Sequence, residues 1–281
     1  MRSVRQIKNL KGKTVLLRVD FNVPIKRGKV EDDFRIRKAL PTIDFLIRKG
    51  TKKIVLLAHL GKDGSEDLSP VWDRFFELYK QARSKIEFFE NIRKFPGETK
   101  NDPAFAKKLS KMGDIYVNDA FSVSHRAHAS VVGIPKFLPA YAGFHLEKEV
   151  TNLSHAFKQP KHPFLFILGG AKFSTKVPLI KKYLNLADHV FVGGAILNIL
   201  FKALGYEIGQ SLYEKLDFDI KNILKNKKLI LPVDVLVKSG NKLMNREIDK
   251  VKKDEFILDI GDKSVALLKS YFKNSRLILW N

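Results

Sequence analysis

An aspartate and an asparagine, Asp20 and Asn22, stand two residues apart where the apolar run of LLRVDFNVP ends. A carboxylate only accepts hydrogen bonds, whereas a carboxamide both donates and accepts. At the mouth of a buried strand such a pair either receives a polar ligand or braces the loop. Further on, FSVSHRAHASVVG places Arg126 between His125 and His128. The forked guanidinium suits phosphate or carboxylate. Histidines three apart could begin a metal site, but no third ligand lies nearby and the chain has no cysteine, so a zinc centre is unsupported. Two double-glycine tips, Gly169-Gly170 and Gly193-Gly194, let a backbone approach a ligand closely. Neither belongs to a P-loop or to the G-x-G-x-x-G fingerprint. In GGAKFSTKV, Lys172 and Lys176 are four apart, so a helix starting after Gly170 puts both ammonium groups on one face. They either flank an anion near a helix N-terminus or are solvated separately.

These residues need a scaffold, and the hydrophobic pattern supplies one. Val15 to Val19 reads as a strand running into Asp20, and Arg35 to Leu46 as a helix closed by Gly50. Ile54 to Ala58 is a strand running into His59 and Gly61. PVWDRFFELYKQA is helical, with Pro70 near its start. IEFFENI is a short strand leading to Asn91 and Arg93, DPAFAKKLSKMG a helix, and IYVNDAF another strand with a polar tip. Strand, polar loop and helix thus recur four times before residue 120, the signature of an α/β domain. Ligands of such sheets gather at the carboxyl ends of the strands. GFHLEKEVTNLSHAFKQP forms one amphipathic helix ended by Pro160 and serves as a connector. Beyond it, FLFILGG, HVFVGG, KLILPVD and FILDIG are strand candidates, with helical patterns at Tyr183–Leu186, Ile196–Leu204 and Ser264–Tyr271. SRLILWN is a last strand.

A chain of 281 residues allows one large or two moderate domains. The 52 basic and 30 acidic side chains give a net charge of +22, which attracts anions at long range: nucleic acid, an anionic membrane or a phosphorylated metabolite. The basic residues are scattered and show no aromatic-basic repeat, which disfavours a nucleic-acid-binding role. The first nine residues do not read as a signal peptide and no apolar run is long enough to cross a bilayer. The expected location is cytoplasmic.

The series RVDFNVP, HLGK, ENIRKF, YVNDAFSVSHRAHASVVGIP, LGGAKFSTK, VGGA, DIG and WN resembles the phosphoglycerate kinase family, in that family's order and across nearly the whole chain. The resemblance implies an α/β protein of two Rossmann-like three-layer α/β/α lobes joined by a helix. Residues 1–144 would form the phosphoglycerate-binding lobe, 145–159 the interdomain helix and 160–281 a partial nucleotide-binding lobe, with hinge closure bringing the lobes together. It implies reversible phosphoryl transfer between 1,3-bisphosphoglycerate with ADP and 3-phosphoglycerate with ATP, magnesium arriving with the nucleotide. Asp20, Asn22, Arg35, His59, Lys62, Arg93, His125 and Arg126 fall at positions of the family's substrate site. Gly169, Gly170, Ala171, Lys176, Gly193, Gly194 and Asn281 match its nucleotide site, and Arg35, Lys172 and Lys176 its catalytic charges.

Three departures accompany the resemblance. Lys62 stands where the family has arginine after HLG, keeping the charge without the planar fork. The segment between His59 and Glu90 is shorter than the family's. The family also continues past WN with a glycine-rich phosphate loop, an acidic residue for magnesium and closing helices. The expectation is therefore a second lobe that is incomplete and a monomer unless a second chain supplies the remainder. A catalytically impaired fragment or substrate-binding remnant is the alternative.

Overall fold

A computed structural model describes residues 1–171, 173–214 and 220–281. The chain divides into two compact units, Met1–Ser154 and His155–Asn281.

The first unit runs β1 (Thr14–Arg18), a small hairpin of β2 (Ile25–Lys26) and β3 (Lys29–Val30), α1 (Phe34–Arg48), β4 (Lys53–Leu57), α2 (Ser69–Leu78), β5 (Ile86–Phe88), α3 (Pro96–Thr99), α4 (Pro103–Ser110), β6 (Ile115–Asn118) and β7 (Ala140–Ala142). A further helix, α5 (Phe144–Lys158), crosses the boundary between the units. The sheet order is β5-β4-β1-β6-β7 and every pairing is parallel. Leu16 is level with Val55 on one side and Tyr116 on the other.

Strand periodicity sends alternate side chains to opposite faces. Val15, Leu17 and Val19 join Ile54, Leu56 and Ala58 in one core, with Ile36, Ala39, Ile43 and Leu46 of α1. Leu16, Val55 and Leu57 join a second core with Leu109 of α4 and Tyr116. Both faces are therefore covered, as parallel sheets require. Helix starts follow local chemistry: Pro103 occupies the first turn of α4, and the Asp102 carboxylate accepts from Ala104 N at 2.7 Å. Because the strands are parallel, Asp20, His59, Asn91 and Asp119 all follow strand ends at the same edge of the sheet.

The second unit contains β8 (Phe164–Leu168), α6 (Phe173–Leu186), β9 (His189–Val192), α7 (Ile196–Ala203), α8 (Ile220–Leu224), β10 (Leu229–Ile230), β11 (Asp234–Ser239), β12 (Lys242–Glu247), β13 (Phe256–Ile260), α9 (Asp262–Asn274) and β14 (Leu277–Trp280). Its parallel sheet has the order β10-β9-β8-β14. Phe164, Phe166 and Leu168 face α6 and α7, while Leu165 and Ile167 face Leu268 of α9.

The second half differs from the pattern reading in three ways. KLILPVD yields only the two-residue β10, since Pro232 has no amide hydrogen for a continuing ladder. FILDIG lies outside the parallel sheet, as β13 of an antiparallel sheet ordered β12-β11-β13. Strands β11 and β12 themselves, joined at Gly240, escape that reading. The helix expected after Gly170 begins at Phe173. Among the described residues no helix is long and apolar enough to cross a membrane.

Candidate functional site

Six of the expected substrate residues converge at the carboxyl edge of the first sheet. Asp20, just beyond β1, is buried, and Arg35 from the first turn of α1 donates Nη1 to both its carboxylate oxygens at 3.0 Å. Asn22 Oδ1 accepts from Gly61 N at 3.0 Å, tying the β1 loop to the β4 loop. Gly61 has φ +73°, a backbone conformation that favours glycine, and an added Cβ would also displace the Glu66 side chain. Arg93 Nη1 donates to Gly61 O at 2.5 Å. Asn91 holds the same loop from below: its Nδ2 donates to Leu60 O at 2.9 Å and to Glu66 O at 3.0 Å.

His59 is buried after β4, and its Nδ1 lies 3.0 Å from Arg18 Nη2. Burial and the positive charges of Arg18, Arg93 and Arg126 hold its pKa down at about 2, so the imidazole is neutral. Burial, Arg126 and Arg18 likewise lower the pKa of Arg93. Asp20, Asn22, Arg35, His59, Arg93 and Arg126 thus share one electropositive locality. Lys62 and His125 are exposed on loops beside it.

Four residues of this locality were missed by motif reading as parts of one assembly. Arg18, 1% exposed, donates Nε to Ser130 Oγ at 3.0 Å. Ser130 Oγ donates to Glu98 Oε1 at 2.6 Å, and Glu98 Oε2 accepts Ser130 N at 2.8 Å. His128 Nδ1 is 3.6 Å from Glu98 Oε1. Arg18 did carry a signal: a charge inside an apolar central strand must find buried partners.

In the second unit, the expected nucleotide residues meet at the ends of three adjacent strands. Gly169 N donates to Asn281 O at 2.9 Å, Gly193 N to Leu168 O at 2.8 Å and Ile196 N to Gly170 O at 3.2 Å. Lys176 Nζ donates to Asn281 Oδ1. Ala171 is exposed beside them. Lys172 lies outside the described residues. Gly194 has φ +62°, and a Cβ there would meet Gly170 N at 2.8 Å. The two glycine tips therefore pack backbone against backbone.

Beside them lies an apolar hollow of about 510 Å³, lined by Gly169, Gly193, Gly194, Ile260, Phe272 and Trp280 among others. A larger hollow of about 670 Å³, between the β2–β3 hairpin and α2, includes none of the expected site residues. Among the described residues, no group of three or more His, Asp or Glu could hold a metal ion.

The family model described as phosphoglycerate kinase matches residues 4–88 and 77–281. A phosphoglycerate kinase of Dictyoglomus turgidum is 41% identical over 307 residues, covering 97% of this chain and 77% of that protein. One from Rubrobacter xylanophilus is 40% identical, covering 100% and 79%. The solved phosphoglycerate kinase of Coxiella burnetii superposes with a TM-score of 0.82 at 34% identity, over 99% of this chain and 79% of that one. That of Pyrococcus horikoshii gives 0.84 at 28%, over 100% and 80%. Matched over nearly its whole length in both sequence and fold, the chain belongs to the phosphoglycerate kinase family.

Proposed function

We propose that this chain is a phosphotransferase acting between 1,3-bisphosphoglycerate with ADP and 3-phosphoglycerate with ATP, the glycolytic reaction of its family. The observation that carries the reading is the convergence of Asp20, Asn22, Arg35, His59, Arg93 and Arg126 at one sheet edge in a chain of this family.

The chemistry of each group suits a role. Arg93 and Arg126, with Lys62 at the rim, supply positive charge and donors for the phosphate of 3-phosphoglycerate. His59 adds a neutral donor and His125 lies on the adjoining loop. Asp20 accepts from the glycerate hydroxyl and from Arg35, and Asn22 can do either. Arg35 reaches the carboxyl end, where the phosphoryl group is gained or lost.

In the second unit, the paired glycine turns with Ala171 and Asn281 let phosphate approach the backbone closely. The neighbouring apolar hollow suits a nucleoside, and Lys176 and Lys172 offset phosphate charge. Magnesium enters as part of the nucleotide substrate. Direct in-line transfer then rests on placing the two substrates and stabilising charge, with no covalent intermediate. We assign residues 1–144 to phosphoglycerate binding, 145–159 to the connecting helix and 160–281 to nucleotide binding. We place a shortening relative to the family in the segment between His59 and Glu90.

The test is a coupled assay of the purified chain beside calorimetry with 3-phosphoglycerate and with magnesium ATP. Turnover dependent on both substrates is expected. Salt-sensitive binding of 3-phosphoglycerate without turnover would identify a substrate-binding remnant, and binding of neither would end the reading.

A further inference from the structure

Arg18 is a buried cation, and all three of its nitrogens have partners within the first unit. Its Nη1 donates to Val19 O at 2.5 Å and to Leu57 O at 3.3 Å. Its Nε donates to Ser130 Oγ at 3.0 Å. That oxygen is then an acceptor, so the Ser130 hydroxyl hydrogen turns to Glu98 Oε1, 2.6 Å away. Glu98 is fully buried and is held in turn by Ser130 N. The remaining nitrogen, Nη2, faces His59 Nδ1 at 3.0 Å. A guanidinium has donors only. Nδ1 must therefore carry the lone pair, and the hydrogen of the ring sits on Nε2.

We propose that Arg18, anchored by Ser130 and Glu98, is a positioning residue that fixes His59 in the neutral Nε2–H tautomer and so presents one N–H to an oxyanion of the substrate. The second clause rests on the assignment of His59 to the 3-phosphoglycerate site.

The opposite tautomer would set two N–H groups against each other at 3.0 Å and turn a lone pair toward the incoming anion. Both contacts change from attractive to repulsive, in a setting where an unsatisfied donor is costly. Charging the ring is disfavoured as well. Arg18 faces His59 from β1, Arg93 from the segment after β5, and Arg126 and His128 from the segment after β6, and all four disfavour a further positive charge. Glu98 is the acidic member of the assembly, but Ser130 and Arg18 stand between it and the ring. The arrangement gives a basic site one neutral, directional donor whose protonation does not change near neutral pH.

The experiment is long-range ¹H–¹⁵N NMR of histidine-labelled full chain near neutral pH, with His59 assigned by its loss in His59→Gln. The expected signal has Nε2 protonated and Nδ1 bare. An Nδ1–H tautomer or an imidazolium would overturn the proposal without any variant.

Arg18→Lys keeps the charge and loses the fork, so the single tautomer should become a mixture. A spectrum unchanged in that variant would also overturn it. Calorimetry completes a double-mutant cycle. Arg18→Lys should weaken 3-phosphoglycerate binding about tenfold, the factor of one ordinary hydrogen bond. It should cause no further loss in a His59→Gln background. Independent, additive losses would show that Arg18 acts on the ligand without His59 and would overturn the positioning role. Where Arg18→Lys does not fold, Ser130→Ala serves the same cycle, since it removes the link to Arg18 Nε and keeps the Ser130 N–Glu98 bond. The spectrum needs no ligand, so a wild-type chain that shows the Nε2–H tautomer yet fails to bind 3-phosphoglycerate would defeat the substrate assignment alone.

Discussion

Arg35 holds Asp20 through one nitrogen, with Nη1 3.0 Å from both carboxylate oxygens. The carboxylate side chain is 10% exposed and the guanidinium 45%, so the pair is anchored at its acidic end and open at its basic end. Asp20 thereby orients Arg35, whose Nε and Nη2 have no hydrogen-bond partner among the described residues and can fork onto an anion.

Arg35 therefore serves two partners, the ligand and the buried Asp20 carboxylate. Arg35→Ala should weaken 3-phosphoglycerate binding by about 1.5–3 kcal/mol, the range for hydrogen bonds to a charged group. Arg35→Lys should recover only part, because an ammonium cannot fork. Calorimetry at fixed ionic strength measures both. An unchanged dissociation constant in Arg35→Ala would remove this residue from the site.

His59 gives a pH prediction with a defined sign. Its folded pKa is depressed from the ordinary 6.5 to about 2, so the unfolded chain takes up a proton that the folded chain refuses. Stability from this group is therefore fully present above pH 6.5 and is lost as pH falls toward 2. Between pH 6.5 and about pH 5 the loss amounts to about 2 kcal/mol. His128, also depressed chiefly by burial, adds in the same direction. Urea unfolding across that range should show the slope, and His59→Gln should flatten it. A slope of equal size in the variant would place the proton uptake elsewhere.

The first unit was largely legible because its strands alternate cleanly and each ends in a polar cluster. Val15, Leu17 and Val19 on one face and Leu16 on the other are what a covered parallel sheet needs. The contacts around Arg18 were not legible: Ser130 and Glu98 lie 112 and 80 positions away in the chain, and only tertiary structure brings them together. Strands β11 and β12 were hidden for another reason. In VLVKSGNKLMNRE the alternation is broken by lysines on a half-exposed hairpin, so neither period stands out.

Gly194 should tolerate no side chain. Its φ of +62° alone costs an L-residue about 1–2 kcal/mol, and a Cβ would press on Gly170 N at 2.8 Å. Gly194→Ala should lower the unfolding free energy by at least that amount and weaken magnesium ATP binding. Binding of 3-phosphoglycerate should stay unchanged, since Gly194 and Gly170 both belong to the second unit. Paired denaturation and calorimetry would show it. Equal losses for both ligands would point to general unfolding.

Lys176 separates binding from transition-state stabilisation. Its ammonium donates to the Asn281 carboxamide, a neutral acceptor that a nucleotide phosphate can replace with a stronger, charge-assisted bond. If the ammonium meets charge that grows on the migrating phosphoryl group, Lys176→Ala lowers kcat and kcat/KM together. The expected loss is on the order of 10²–10³-fold, typical for a group aimed at developing charge. Asn281→Ala frees the lysine from its neutral partner and should change kcat by less than about tenfold, the worth of one ordinary hydrogen bond. Steady-state assays of both variants, with ATP and 3-phosphoglycerate varied in turn, distinguish the cases. A rise in the KM for ATP at constant kcat in Lys176→Ala would restrict Lys176 to holding the nucleotide equally in ground and transition states.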